Sequence, residues 1–121
     1  MLHKEITGKI IRAATEVYNE LGFGYYEKIY ENALAYELSQ MDLNCEFQRE
    51  LLVNYKGKVN LGKFVADLIV DNKVVVELKS GSTRAEFHIP QILNYMKAAN
   101  IQVGLIIIFG REKVFYKRVI I

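Results

Sequence analysis

Phe64-Val65-Ala66-Asp67-Leu68-Ile69-Val70-Asp71-Asn72-Lys73-Val74-Val75-Val76-Glu77-Leu78-Lys79 is the stretch on which the fold turns. The Val, Ile and Leu runs flanking Asp71-Asn72-Lys73 read as two neighbouring strands of a packed sheet. Three charges interrupt them: Asp67 on the first strand, Glu77 and Lys79 on the second. Charged groups are almost never fully buried unless they are paired or hold a metal, so these three need a reason. Side chains alternate across a strand, which puts Glu77 and Lys79 on one face and Val76 and Leu78 on the other.

The register of the hairpin decides whether Asp67 joins them. With Val70 opposite Val74 the loop is Asp71-Asn72-Lys73, an odd count, and Asp67 faces Glu77. A two-residue Asp71-Asn72 loop would set Asp67 beside Val76, on the wrong face. The three-residue loop, or an equivalent bulge, is the expectation. Two carboxylates then converge within ~4–6 Å, close enough to perturb one another. At 4 Å two unit charges repel by about 1 kcal/mol in water and about 4 kcal/mol at an effective dielectric of 20. A cation between them relieves this, and hard oxygen ligands suit Mg²⁺ or Mn²⁺. Lys79, protonated, is no ligand; it could orient or help deprotonate a water, or stabilise charge developing on phosphorus. On spacing alone a solvated strand edge stands as an alternative to the metal site.

The remaining chain reads as a frame around this hairpin. Ile6, Ile10, Ile11, Ala14, Val17, Tyr18 and Leu21 recur at helical spacing, predicting a helix over residues ~4–21. Gly22-Phe23-Gly24 ends it. A second helix is expected over ~25–41, with Ile29, Tyr30, Ala33, Leu34, Leu38 and Met41 inward. A strand from ~46 to the Lys56-Gly57-Lys58 turn follows, and the hairpin strands are set at ~63–70 and ~74–79. Ser80-Gly81-Ser82-Thr83 leads to a third helix over ~84–99, with Pro90 arguing for a start nearer residue 89. Val103 to Phe109 is a buried strand, and Val114 to Ile121 a last one. The expected order is α-α-β-β-β-α-β-β, one α/β domain over residues 1–121.

Composition narrows the function classes. A net charge of +2 is too small to imply a nucleic-acid partner by itself, so any electropositive groove must come from distribution. The single cysteine, Cys45, excludes an intrachain disulfide and a zinc cluster and suits a reducing compartment. No apolar leader is visible at the start, and Val103 to Phe109 is far short of the ~20 residues that span a bilayer. A soluble, cytoplasmic protein is the expectation.

Asp67…Glu77-Leu78-Lys79 resembles the signature of the PD-(D/E)XK nuclease superfamily, an acid followed by Glu-x-Lys on the next strand, with Ala66 where the proline usually stands. Gly24-Tyr25-Tyr26-Glu27-Lys28-Ile29-Tyr30 is similar to the motif that names the GxxExxY family of that superfamily. The likeness extends through Glu31-Asn32-Ala33-Leu34, Gln91-Ile92-Leu93-Asn94-Tyr95 and Lys117-Arg118. It implies a restriction-endonuclease-like core with a mixed central sheet flanked by helices. It implies that Asp67 and Glu77 bind metal, with the Leu78 carbonyl a further ligand and Lys79 the catalytic lysine. Gln91 and Tyr95 match the Gln-x-x-x-Tyr helix of RecB-like exonucleases, and Glu27 resembles their extra acidic residue on an N-terminal helix, a further ligand candidate.

Read from the residues alone, these positions are softer. Gln91 and Tyr95 lie four apart on one helix face and could simply satisfy each other. Glu27 near a helix start is a plain favourable dipole arrangement. His88 could contact phosphate or serve as a cap, and Lys56, Lys58, Lys63 and Arg84 could line a groove or be solvated faces. Two functions follow. One is a Mg²⁺- or Mn²⁺-dependent nuclease acting on nucleic acid, DNA ahead of RNA. The other is a catalytically silent nuclease fold that binds nucleic acid or protein, as a homodimer or with a partner.

Overall fold

The computed structural model describes residues 1–121. Helices α1 (Lys4–Leu21) and α2 (Glu27–Ser39) come first, followed by strands β1 (Cys45–Tyr55), β2 (Val59–Val70) and β3 (Val74–Ser80). A short 3-10 turn, Ala85–His88, enters α3 (Ile89–Ala99), and β4 (Val103–Phe109) and β5 (Val114–Ile120) complete the chain. The strands lie in one sheet in chain order, β1-β2-β3-β4-β5. All neighbours are antiparallel except β3 and β4, which run parallel because α3 crosses between them. The expected α/β class and element order are those observed.

Helices cover both faces of the sheet. Ile10, Ala14 and Val17 of α1 and Tyr30, Leu34 and Leu38 of α2 pack on Leu68, Val76, Leu78, Leu105 and Phe109. Ile92, Tyr95 and Met96 of α3 pack on Ile69, Val75, Ile106 and Ile108 from the opposite side. This two-sided burial is why β3 and β4 read as continuous apolar runs rather than alternating ones. Each fully buried Leu, Ile or Val contributes about 1.5–3 kcal/mol relative to exposure. Gly104 of β4 lets α3 sit this close: a Cβ there would lie 2.6 Å from Met96 Sδ and 2.9 Å from Ile92. No helix is long and apolar enough to cross a membrane.

The bounds shift where local chemistry overrides pattern. The second strand starts at Val59, not near 63, because Lys56 and Gly57 both take positive φ (55° and 65°) and close a tight turn, Lys58 N–H donating to the Tyr55 carbonyl at 3.0 Å. Helix α2 is shorter than expected, and Ile29, read as inward, is 42% exposed. The α1–α2 corner explains why. Gly24 takes φ 119°, open to glycine, and the buried Tyr30 hydroxyl donates to the Gly22 carbonyl at 2.6 Å. The Tyr30 ring stacks on Phe109, centroids 4.2 Å apart. That anchorage rotates Tyr30 inward and Ile29 out. The third helix divides as Pro90 implies, its α-helical part starting at Ile89 with proline in the first turn.

Candidate active site

The hairpin register is the odd-loop one. Val70 pairs with Val74, Ile69 with Val75 and Leu68 with Val76. Asp71 and Asn72 both take positive φ (53° and 52°), and Lys73 N–H donates to the Val70 carbonyl at 2.9 Å. Asn and Asp tolerate this left-handed region better than most residues, so the loop chemistry sets the register. Asp67 therefore faces Glu77.

The backbone ladder between β2 and β3 stops at the pair before them. Beyond Leu68 and Val76 no further pair forms, and Leu78 N–H donates instead to Asp67 Oδ2 at 2.8 Å. The carboxylate stands in for a strand carbonyl. On its other side β3 stays paired with β4 through Glu77, Lys79 and Ser80. β3 thus holds Glu77 and Lys79 through its pairing with β4 while β2 parts from it.

Glu77 is 2% exposed, and its Oε1 is buried without a hydrogen-bond partner. Its Oε2 lies 3.9 Å from Lys79 Nζ. Burial pushes its carboxyl up to about 9, hydrogen bonding to Asp67 and the charges of Asp67 and Glu27 push the same way, and Lys79 opposes them. An orphaned carboxylate oxygen beside a second carboxylate is a donor set that fits a hard divalent cation. The chain does not gather three or more Asp, Glu, His or Cys side chains into one cluster, so Glu27 is not drawn into a ligand group with Asp67 and Glu77.

Helix α3 delivers the other expected pair. Gln91 Nε2 donates to the Tyr95 hydroxyl at 2.9 Å, so the two satisfy each other. Tyr95 is 8% exposed and packs against Phe64, ring centroids 5.4 Å apart. Burial raises its phenol, the charges of Glu77 and Asp67 add to this, and the Gln91 bond opposes it. Tyr95 thus lies within the field of both carboxylates. His88 Nε2 is 2.8 Å from Thr83 Oγ1. Its imidazole is lowered by burial and by Lys79, with Glu27 pulling upward. Glu27, exposed at the first position of α2, accordingly reaches the site through charge rather than contact.

Sequence reasoning missed a polar bridge from α2. Glu31, 6% exposed, takes the Lys28 ammonium at 2.7 Å and the Gln48 amide at 2.6 Å. The same Gln48 nitrogen lies 3.5 Å from Asp67 Oδ1. The available signal was Glu31 falling three and seven residues before Leu34 and Leu38, an acid in an apolar stripe. Of the expected groove cations, Lys63 pairs with Glu50 at 3.5 Å and Arg84 with Glu86 at 3.7 Å. Four clefts open elsewhere on the surface, and neither Asp67 nor Glu77 lines any of them.

No curated protein matches the chain. The crystal structure of SSO0001 is similar in fold, with a TM-score of 0.62 at 22% identity. The match covers 77% of this chain and 50% of that one, so the chain spans half the length of that protein. A family model described as the PD-(D/E)XK nuclease superfamily matches residues 4–119, a span that contains both sheet carboxylates, Lys79 and all three helices. By that match the chain belongs to the PD-(D/E)XK nuclease superfamily.

Proposed function

We propose that this chain is a Mg²⁺- or Mn²⁺-dependent nuclease, of the GxxExxY group and the RecB-like branch, folded as one domain over residues 1–121. The observation that carries the reading is the orphaned Oε1 of the buried Glu77 beside Asp67, with Lys79 3.9 Å away. Asp67 and Glu77 hold the cation, and the Leu78 carbonyl completes the set. The cation, when bound, supplies Lewis-acid polarisation of the phosphate and acidifies water.

The chain's own residues do the rest. Glu77 must shed its proton to act as a ligand, so cation affinity rises with pH toward about 9. Lys79, half-buried and fixed by the β3–β4 pairing, presents its ammonium where charge develops on the phosphoryl oxygens and helps orient the water nucleophile. Tyr95, steadied by Gln91 and within the field of both carboxylates, supports the site and its substrate. Glu27 adds negative potential at the rim and supports the cation from a distance. The substrate is nucleic acid, DNA ahead of RNA.

The test is cleavage of single- and double-stranded DNA and RNA with each metal, by the wild type beside Asp67→Ala and Lys79→Ala. Cleavage lost in both variants supports the assignment. Activity that survives both removes this site from consideration.

A further inference from the structure

We propose that Gln48 is a positioning residue that aims the Asp67 carboxylate, an inference that rests on the cation site proposed above. Gln48 sits in the middle of β1 with φ 52°. A non-glycine residue in that region is strained and persists only where its surroundings hold it there. Here its side chain is the holding element. The Gln48 amide donates to Glu31 Oε1 at 2.6 Å and, more weakly, to Asp67 Oδ1 at 3.5 Å.

Glu31 makes a firm anchor. It is nearly buried, belongs to α2, and has its other oxygen tied to the Lys28 ammonium. Glu31 and Asp67 placed directly together would repel, as like charges do. An amide has two N–H donors and no charge, so it bridges two acceptors that could not bridge themselves. Asp67 Oδ2 is meanwhile engaged by Leu78 N–H. The carboxylate is thus set from β3 at one oxygen and from Gln48 at the other.

The backbone at this point gives the strain a purpose. Phe47 and Leu68 pack with the α1–α2 cluster, whereas Leu51, Ala66 and Phe64, further along the same two strands, pack with the α3 cluster. The strand pair turns over its faces around Gln48 and Asp67, which is also where β2 leaves β3. A regular residue 48 would keep one face throughout. Gln48 therefore both permits the turnover and fixes the carboxylate that the turnover exposes.

The test separates these two roles with Gln48→Gly, because glycine accepts the left-handed backbone but removes the bridge. The folded state should survive, with Tm within about 2 °C of the wild type. Mn²⁺ affinity by titration calorimetry should fall about tenfold, as for the loss of an outer-shell partner. Without metal, hydrogen exchange at the Leu78 amide should quicken while that at Val75 and Val76 does not. Mn²⁺ affinity and Leu78 exchange both matching the wild type would overturn the inference. A wild type that binds no Mn²⁺, with Leu78 exchange still quickened in Gln48→Gly, would leave the positioning role standing and remove the cation reading instead.

Discussion

The two halves of β3 share one neighbour and differ in the other. Val74, Val75 and Val76 are paired on both edges, with β2 and β4, and none is accessible to solvent. Glu77 to Ser80 keep β4 but have lost the β2 backbone, whose place is taken by the Asp67 carboxylate. The closed half is an apolar core strand; the parted half carries Glu77 and Lys79, the charged residues of the proposed site. Where the ladder ends, Glu77 is left facing a second carboxylate, with its Oε1 unpartnered. Polar function on a buried sheet thus begins where strand pairing ends.

The comparison breaks most severely if a charge is moved into the closed half. Val76→Asp places a carboxylate one pair nearer the turn, with no partner, and should cost about 4 kcal/mol of stability by denaturant unfolding. Next in size, Lys79→Ala should lower cleavage by about a hundredfold or more while leaving the fold intact, as removal of one charge-stabilising group does. A sequence of unfolding and activity assays on the two variants separates the structural half of β3 from the chemical one.

A smaller effect lies in pH. The folded Glu77 carboxyl titrates near 9 and the unfolded one near its ordinary 4.5, so the native state binds the extra proton between these values. Stability of the metal-free protein is therefore fullest below about 4.5 as far as Glu77 is concerned, and falls as pH rises toward 9. Glu77→Gln should flatten that slope and raise Tm by several degrees at pH 8, measured by thermal melts across the window. Tyr30→Phe is smaller still. Losing the bond to the Gly22 carbonyl should cost about 1 kcal/mol in unfolding, with cleavage per folded molecule unchanged. That result would mark Tyr30 as the pin of the α1–α2 corner rather than part of the chemistry.

The placement of the three charged side chains is legible in the sequence. The odd count of Asp71-Asn72-Lys73 fixes which face Asp67 takes, and the period of two places Glu77 with Lys79. Pro90 marks the start of α3 because it suits only a first turn. What stayed hidden was non-local. Glu31, Gln48 and Asp67 meet from three elements, and a left-handed Gln48 has no signature in an ordinary strand sequence. Ile29 was misplaced for a related reason: the tertiary pull on Tyr30 rotates α2 away from the phase its apolar residues suggest. The parting of β2 from β3 was equally invisible, since nothing in the composition of Phe64 to Val70 marks where pairing ends.

The measurement that bears most directly on the cation site is the Mn²⁺ dependence of thermal stability at pH 7.5, wild type beside Asp67→Ala. Binding to the folded state alone raises Tm with rising ligand concentration. The account predicts a concentration-dependent rise in the wild type that is absent in Asp67→Ala. Equal shifts in the two proteins, or no shift in either, would contradict it.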